Sequence, residues 1–191
     1  MRKLLAALLV LLLVSSIGVT GCPAPAGPPT APEVKLNRLE VVHFESLAKD
    51  YPTGYGPQRV GFFVLAAVFD ITNPNDYPIM LDKISATLAL EGAPGTWFEL
   101  NSPVNYDDQW IPAKMTNQVR VQALFTTRVV LLSLLVAQAT KAKELGVSAH
   151  DLIQKWWGGI GTFDFPVKVV GSASFTSPQG GAVSSFSEVF P

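Results

Sequence analysis

The sequence has few of the residue types that most enzymes and metal sites use. One cysteine and two histidines occur in 191 residues, and the histidines are more than a hundred positions apart. The cysteine count excludes an internal disulfide, and the histidine spacing excludes the common zinc-binding motifs. The sequence also lacks a Gly-x-Ser-x-Gly turn, a phosphate-binding loop and a dinucleotide-binding fingerprint. We therefore expect no enzyme, with no catalytic residues, no cofactor and no metal site.

Positive charge is also scarce. Fourteen Lys and Arg residues face fifteen Asp and Glu residues, and no basic run is longer than two. We therefore expect no nucleic-acid partner, because phosphate binding needs a basic surface. Hydrophobic residues make up 48% of the chain, with 15 Gly and 15 Pro. This composition is typical of a turn-rich β protein, and the length fits one domain with extensions.

Polar residues in two predicted loops are the remaining candidates for binding. The oxygens of Asp107 and Asp108 could hold a hard cation. No third ligand is evident nearby, so a solvated loop is the simpler interpretation. Tyr51 and Tyr55 could line a binding surface or cover a sheet edge. His43, in the predicted first strand, is interpreted as a packing or surface residue.

Residues 1–21 have the pattern of a bacterial lipoprotein signal peptide. Two basic residues precede the apolar run of residues 4–14, which is too short to cross a bilayer about 30 Å thick. The sequence Val-Thr-Gly-Cys ending at Cys22 resembles the lipobox. That resemblance implies cleavage between Gly21 and Cys22 and attachment of acyl chains, palmitate among them, to Cys22. The alternative is an ordinary secretory signal followed by a chance cysteine.

Residues 22–34 are predicted to be the lipidated cysteine and a tether. Half of residues 23–32 are proline, which favours an extended polyproline II chain. At about 3 Å per residue it would hold the domain roughly 30 Å from the membrane. Pro23 is not the aspartate that marks inner-membrane retention in enteric bacteria. We therefore expect an extracytoplasmic site in the cell envelope, on the periplasmic face of the outer membrane if the cell is Gram-negative.

Residues 35–191 are predicted to form one domain organised around residues 60–92. Residues 60–72 are apolar at both alternating positions, which indicates a strand covered on both faces or central in a sheet. Asn73-Pro74-Asn75 then predicts a turn, since proline fixes the first φ and asparagine tolerates left-handed φ. A second, half-exposed strand follows, with Met80 on the same face as Ile84 and Asp82 interrupting that face.

A helical segment is predicted at residues 129–157, ahead of the last two strands. Gly146 is a typical helix stop, and Ser148 with Asp151 resembles a capping box. Residues 129–136 could instead continue the preceding strand. The apolar face of the segment must cover the open end of the sandwich, contact lipid or bind a partner.

These stretches, in this order, resemble the LEA14-like domain, also called WHy (water stress and hypersensitive response). The resemblance spans residues 36–191 and is carried by the Asn73-Pro74-Asn75 turn and by residues 111–121 and 165–181. It implies an immunoglobulin-like or fibronectin III-like antiparallel β-sandwich with no known catalytic residues. We expect about seven strands with the helical insertion before the last two.

Two hypotheses for function follow. The first is a membrane-anchored, non-enzymatic lipoprotein whose domain is a protein-interaction or stress-protective module with an envelope protein partner. The alternative is a carrier of lipid or another apolar ligand, with the helical segment as its lid. A cavity beneath that segment favours the carrier, and a packed core favours the module.

Overall fold

The computed structural model describes residues 27–48, Tyr51 and residues 61–191. The predicted signal peptide, its cleavage site at Gly21 and Cys22, and Tyr55 lie outside the described residues. Lipidation of Cys22 therefore stays a prediction.

Nine strands in the described residues form two antiparallel sheets. In chain order they are β1 (Glu33–Phe44), β2 (Phe62–Thr72), β3 (Ile79–Ala93), β4 (Thr96–Asn101), β5 (Val104–Asn105), β6 (Gln109–Ile111), β7 (Thr116–Thr126), β8 (Val167–Ser177) and β9 (Gly180–Phe190). The smaller sheet has the order β1–β2–β7, and the larger has the order β4–β3–β8–β9. β5 and β6 also pair with β3, so β4, β5 and β6 act as one interrupted edge strand.

The predicted β-sandwich with a helical insertion is confirmed. Counting the interrupted edge once, three strands face four, as in a fibronectin III-like sandwich. The helices α1 (Thr127–Leu135), α2 (Ala139–Leu145) and α3 (Ala149–Gly159) lie between β7 and β8, ahead of the last two strands. Within the described part of the chain, none of these helices has the length and apolar character that a bilayer crossing requires.

β2 is the central strand of the smaller sheet, which explains its apolar residues on both faces. Phe63, Leu65 and Phe69 on its inner face have no exposed surface. Ala66 and Val68 on its outer face are also buried. The neighbouring strands place ion-paired side chains beside these two residues: Arg38, Glu40 and Arg120. The stems of such long side chains cover apolar surface while their charged ends stay in water.

β3 carries a bulge that reverses its faces near the start of the strand. The register with β8 shifts between Leu81 and Lys83. Leu81 is therefore buried with Ile84, although they are three residues apart. The prediction that Met80 shares the inner face with Ile84 is wrong, because one extra residue turns the alternation over. Asp82 points away from the core, and its carboxylate accepts a hydrogen bond of 2.6 Å from Thr176.

The helical prediction for residues 129–157 is confirmed, with two differences. α1 begins at Thr127, where the Thr126 hydroxyl accepts a hydrogen bond from the backbone of Val129, so the alternative of a continuing strand is wrong. The segment also divides into three helices rather than two. Gly146 ends α2 in the left-handed conformation with φ of 66°, and the Ser148–Asp151 capping box begins α3.

The close approach of β3 and β8 at Gly171 gives a stability prediction. A Cβ at Gly171 would lie 1.9 Å from the Ser85 carbonyl oxygen and 2.7 Å from the Phe186 ring. Because the Ser85 backbone cannot move aside at low energetic cost, Gly171→Ala should lower the free energy of unfolding by about 3 kcal/mol. Gly158→Ala is the matched control, since a Cβ there meets nothing within 4 Å. It should raise stability by about 0.5–1 kcal/mol, because alanine favours helix over glycine.

Urea unfolding of the two variants measures both changes. Equal stability of Gly171→Ala and the wild type would contradict the close packing of β3 against β8.

Candidate functional site

Asn73 lies at the centre of a buried hydrogen-bond cluster where β2 turns toward β3. Its side chain has no exposed surface. Its Nδ2 lies within hydrogen-bond distance of the carbonyl oxygens of Tyr77, Ile111 and Pro112, at 2.9, 3.1 and 3.1 Å. Its Oδ1 accepts from the backbone N–H and the side-chain Nδ2 of Asn75. The predicted turn motif therefore joins three separate stretches of chain.

Asn75 fastens the N-terminal segment to this cluster. Its Oδ1 accepts from the Thr30 backbone N–H, and its Nδ2 donates to the Thr30 carbonyl, both at 2.9 Å. The Ser184 hydroxyl on β9 donates to the Pro32 carbonyl. Thr30, five residues before the predicted domain boundary at residue 35, is thus already held against the sandwich. We call this arrangement the asparagine clamp (Asn73, Asn75 and Thr30).

The asparagine clamp defines two opposite ends of the sandwich. Thr30, the β2–β3 turn, residues 112–115 and the β8–β9 turn lie at one end, which we call the clamp end. β1 runs away from this end, beginning opposite Thr72 and finishing opposite Phe63. The three helices follow β7 at its far terminus, so they lie at the other end, the helical end.

α3 closes the helical end and belongs to the core. Its residues Leu152, Ile153, Trp156 and Trp157 are almost fully buried. Trp156 packs edge-on against Phe98 with ring centroids 5.7 Å apart, and its Nε1 donates to the Glu91 carbonyl at 3.0 Å. Trp157 packs against Phe63 at 4.6 Å. These rings fill the space beneath α3 that a lid over a ligand would leave open.

α1 buries one side and exposes a second apolar side to solvent. Val130 and Leu134 are buried against the core. Four other side chains are 59–71% exposed, and we call them the α1 patch: Val129, Leu132, Leu135 and Val136. Positions 129, 132 and 136 share a face of the helix at this spacing. A cluster of large exposed apolar side chains is typical of an interaction surface.

A surface groove lies beside α2, on the outer face of the larger sheet. Its volume is about 470 Å³, and its walls include Trp97, Glu99, Lys141 and Lys168. Lys141 donates to the Trp97 carbonyl at 2.7 Å, which holds α2 against β4. The two lysines and the glutamate give the groove mixed charge and no single ligand class.

The candidate site residues that were predicted from the sequence lie in different parts of the structure. Asp107 and Asp108 are exposed in the loop between β5 and β6. No group of three or more potential metal ligands occurs within residues 27–48, 51 and 61–191. His43 is an exposed residue of β1 whose ring stacks on Phe62 at 4.9 Å. The ring of Tyr51 packs 5.7 Å from His150 on α3, which favours the covering interpretation.

An ion pair on β1 shifts the pKa of Lys35. The Glu33 carboxylate lies 2.7 Å from the Lys35 ammonium. Its hydrogen bond, and then its charge, raise the pKa of Lys35 above the ordinary value. Lys35 is therefore protonated throughout the neutral range.

The sequence predicts an apolar face on the helical segment, but it does not predict which side of α1 stays exposed. The adjacent Leu134 and Leu135 lie on different sides of α1, since Leu134 is buried and Leu135 is exposed. A helix that is apolar all round gives no direction for its buried side. The sequence signal for the α1 patch is that α1 and Val136 contain more apolar residues than one buried side of a nine-residue helix can hold.

No protein-family model and no curated protein matches the sequence. Several solved structures are similar to it. A protein from Archaeoglobus fulgidus has a TM-score of 0.42 and 8% identity, over 82% of this chain and 94% of that one. A protein from Arabidopsis thaliana has a TM-score of 0.35 and 12% identity, over 91% and 88%. A putative late embryogenesis abundant protein has a TM-score of 0.28 and 12% identity, over 99% and 87%.

The asparagine clamp predicts a local change in backbone protection. Asn75→Ala removes both hydrogen bonds to Thr30, each worth about 1 kcal/mol. The two losses total about 2 kcal/mol, so amide hydrogen exchange at Thr30, whose N–H loses its acceptor, should quicken by roughly thirtyfold. Asn101→Ala is the control, because the Asn101 side chain makes one exposed hydrogen bond, to the Leu124 carbonyl. Unchanged exchange in Asn75→Ala would show that Asn75 does not hold the segment.

Proposed function

We propose that the chain is a lipid-anchored, non-enzymatic, LEA14-like module of the cell envelope that binds an envelope protein through the α1 patch. The observation that carries the proposal is the α1 patch, whose four side chains are 59–71% exposed. It occupies the helical end, while the N-terminal segment leaves from the clamp end. The LEA14-like part is supported by the Asn73-Pro74-Asn75 turn, whose Asn73 side chain joins it to the stretch of the resemblance that begins at Ile111.

The geometry supports a protein rather than a lipid as the partner of the α1 patch. An anchor at Cys22 would reach Thr30 through eight residues, a span of at most about 28 Å. β1 adds about 36 Å at 3.3 Å per residue. The helical end would therefore stand well above the bilayer surface, where other envelope proteins project.

The interaction module is preferred to the apolar-ligand carrier because of how α3 packs. Trp156 and Trp157 occupy the space beneath the helical segment, and both are buried. A carrier would have to move these rings out of the core to admit a ligand. A stress-protective role fits the module without such a rearrangement.

The anchor is tested by Cys22→Ser in the full chain, expressed with its own signal in a bacterium. The wild type should incorporate an alkyne-labelled palmitate and fractionate with membranes. Cys22→Ser should lose the label and leave the membrane fraction, because no other cysteine can carry the thioether. A wild type without label would refute the anchor.

The α1 patch is tested by photo-crosslinking in the native envelope. A benzophenone side chain at Leu132 should give one adduct of discrete mass with an envelope protein. The same side chain at Val183, which is exposed to a similar extent on β9, should not. Val136→Gln should weaken the adduct at Leu132, although it changes stability by only about 0.5 kcal/mol or less. Equal crosslinking at both positions, or adducts with lipid alone, would contradict the proposal.

A further inference from the structure

Two large apolar side chains are exposed at the clamp end, where the helices do not reach. Trp110 on β6 and Met115 before β7 are each 56% exposed. Trp110 pairs with Met80 in the second position of β3. Asn73, which directly follows β2, donates its backbone N–H to the Met115 carbonyl at 2.9 Å. Both side chains therefore flank the asparagine clamp.

The clamp end is also the end to which an N-terminal anchor would be joined. Thr30 is held there by two hydrogen bonds from Asn75. The eight residues from Cys22 to Thr30 can extend to at most about 28 Å, and less if the chain folds back. The membrane that holds the proposed anchor is therefore within reach of Trp110 and Met115.

The turns of the clamp end carry one acidic and one basic residue, Asp76 and Lys114, which form an ion pair. The Lys114 ammonium lies 3.1 Å from the Asp76 carboxylate and donates to the Pro74 carbonyl at 2.6 Å. The acidic pair Asp107 and Asp108 precedes β6, on the sheet edge rather than in the turns of this end. A contact here would thus depend on apolar burial, which is insensitive to salt, rather than on attraction to anionic lipid.

We propose that the clamp end docks on the bilayer, with Trp110 and Met115 entering the headgroup region of the membrane that holds the anchor. The inference rests on the proposed lipid anchor at Cys22. Tryptophan suits this position, because its ring is apolar and its N–H remains hydrogen-bonded at the interface. Two side chains bind weakly alone, and the anchor supplies the high local concentration that makes the contact persist.

Tryptophan fluorescence tests the docking directly. The chain has four tryptophans, and Trp97, Trp156 and Trp157 lie at the helical end. The full lipidated chain is reconstituted into phosphatidylcholine vesicles with brominated acyl chains, which quench only fluorophores in contact with the bilayer. We expect the bromolipid to quench part of the emission. Trp110→Phe should abolish most of that quenching, whereas Trp97→Phe should leave it intact.

A second variant reports docking without removing the fluorophore. Met115→Gln should reduce the quenching of Trp110, and raising the salt concentration should not. Val189→Gln is the matched control, since Val189 has similar exposure and pairs with Lys168 near the helical end. It should leave the quenching unchanged.

The outcomes separate the anchor from the contact. A palmitate-labelled, vesicle-bound chain whose Trp110 is not quenched would overturn the docking and leave the anchor standing. A clamp end covered by a protein or by a second copy would also leave Trp110 unquenched, and it would likewise overturn the docking. A chain without acyl label would remove the anchor and, with it, this inference.

Discussion

The asparagine clamp is the constraint on which the rest of the structure depends. Asn73 is fully buried, and its polar atoms are satisfied by three carbonyl groups and by Asn75. Such a side chain is costly to bury unless every partner is in place, so the cluster forms as a unit or not at all. It joins the β2–β3 turn, the crossing from β6 to β7 and the N-terminal segment. One turn motif thereby fixes Thr30 against the sandwich.

Attachment of the N-terminal segment at one end makes the two ends of the sandwich different. The chain is fastened at the clamp end, and the three helices close the helical end. Each end exposes apolar side chains that the core does not use, namely Trp110 and Met115 at one and the α1 patch at the other. With the proposed anchor, the first group would face the bilayer and the second would face away from it. The proposed module would need no catalytic group, because its proposed function is to hold one surface at a set height and orientation.

The sequence was sufficient for the features that depend on neighbouring residues. Apolar residues at both alternating positions predicted the buried central strand, and Gly146 and Ser148 predicted where helices end and begin. Features that depend on residues far away in the sequence could not be predicted from it. The bulge in β3 moves Asp82 outward through its pairing with β8, and Thr30 is held by Asn75, 45 positions away. The exposed side of α1 could not be predicted either, because the sequence of a helix that is apolar all round does not show which side will be buried.

The most direct test of this account is the orientation of the domain on its membrane. Because the proposed acylation would occupy the single native cysteine, an introduced cysteine can carry a fluorophore at Asp76, at the clamp end, or at exposed Lys143 on α2. Energy transfer to a headgroup-labelled lipid is then measured for the lipidated full chain in vesicles. Transfer should be much stronger from position 76 than from position 143, since the two ends of the sandwich are separated by about 36 Å along β1. Equal transfer from the two positions would contradict it, because the clamp would then not orient the domain.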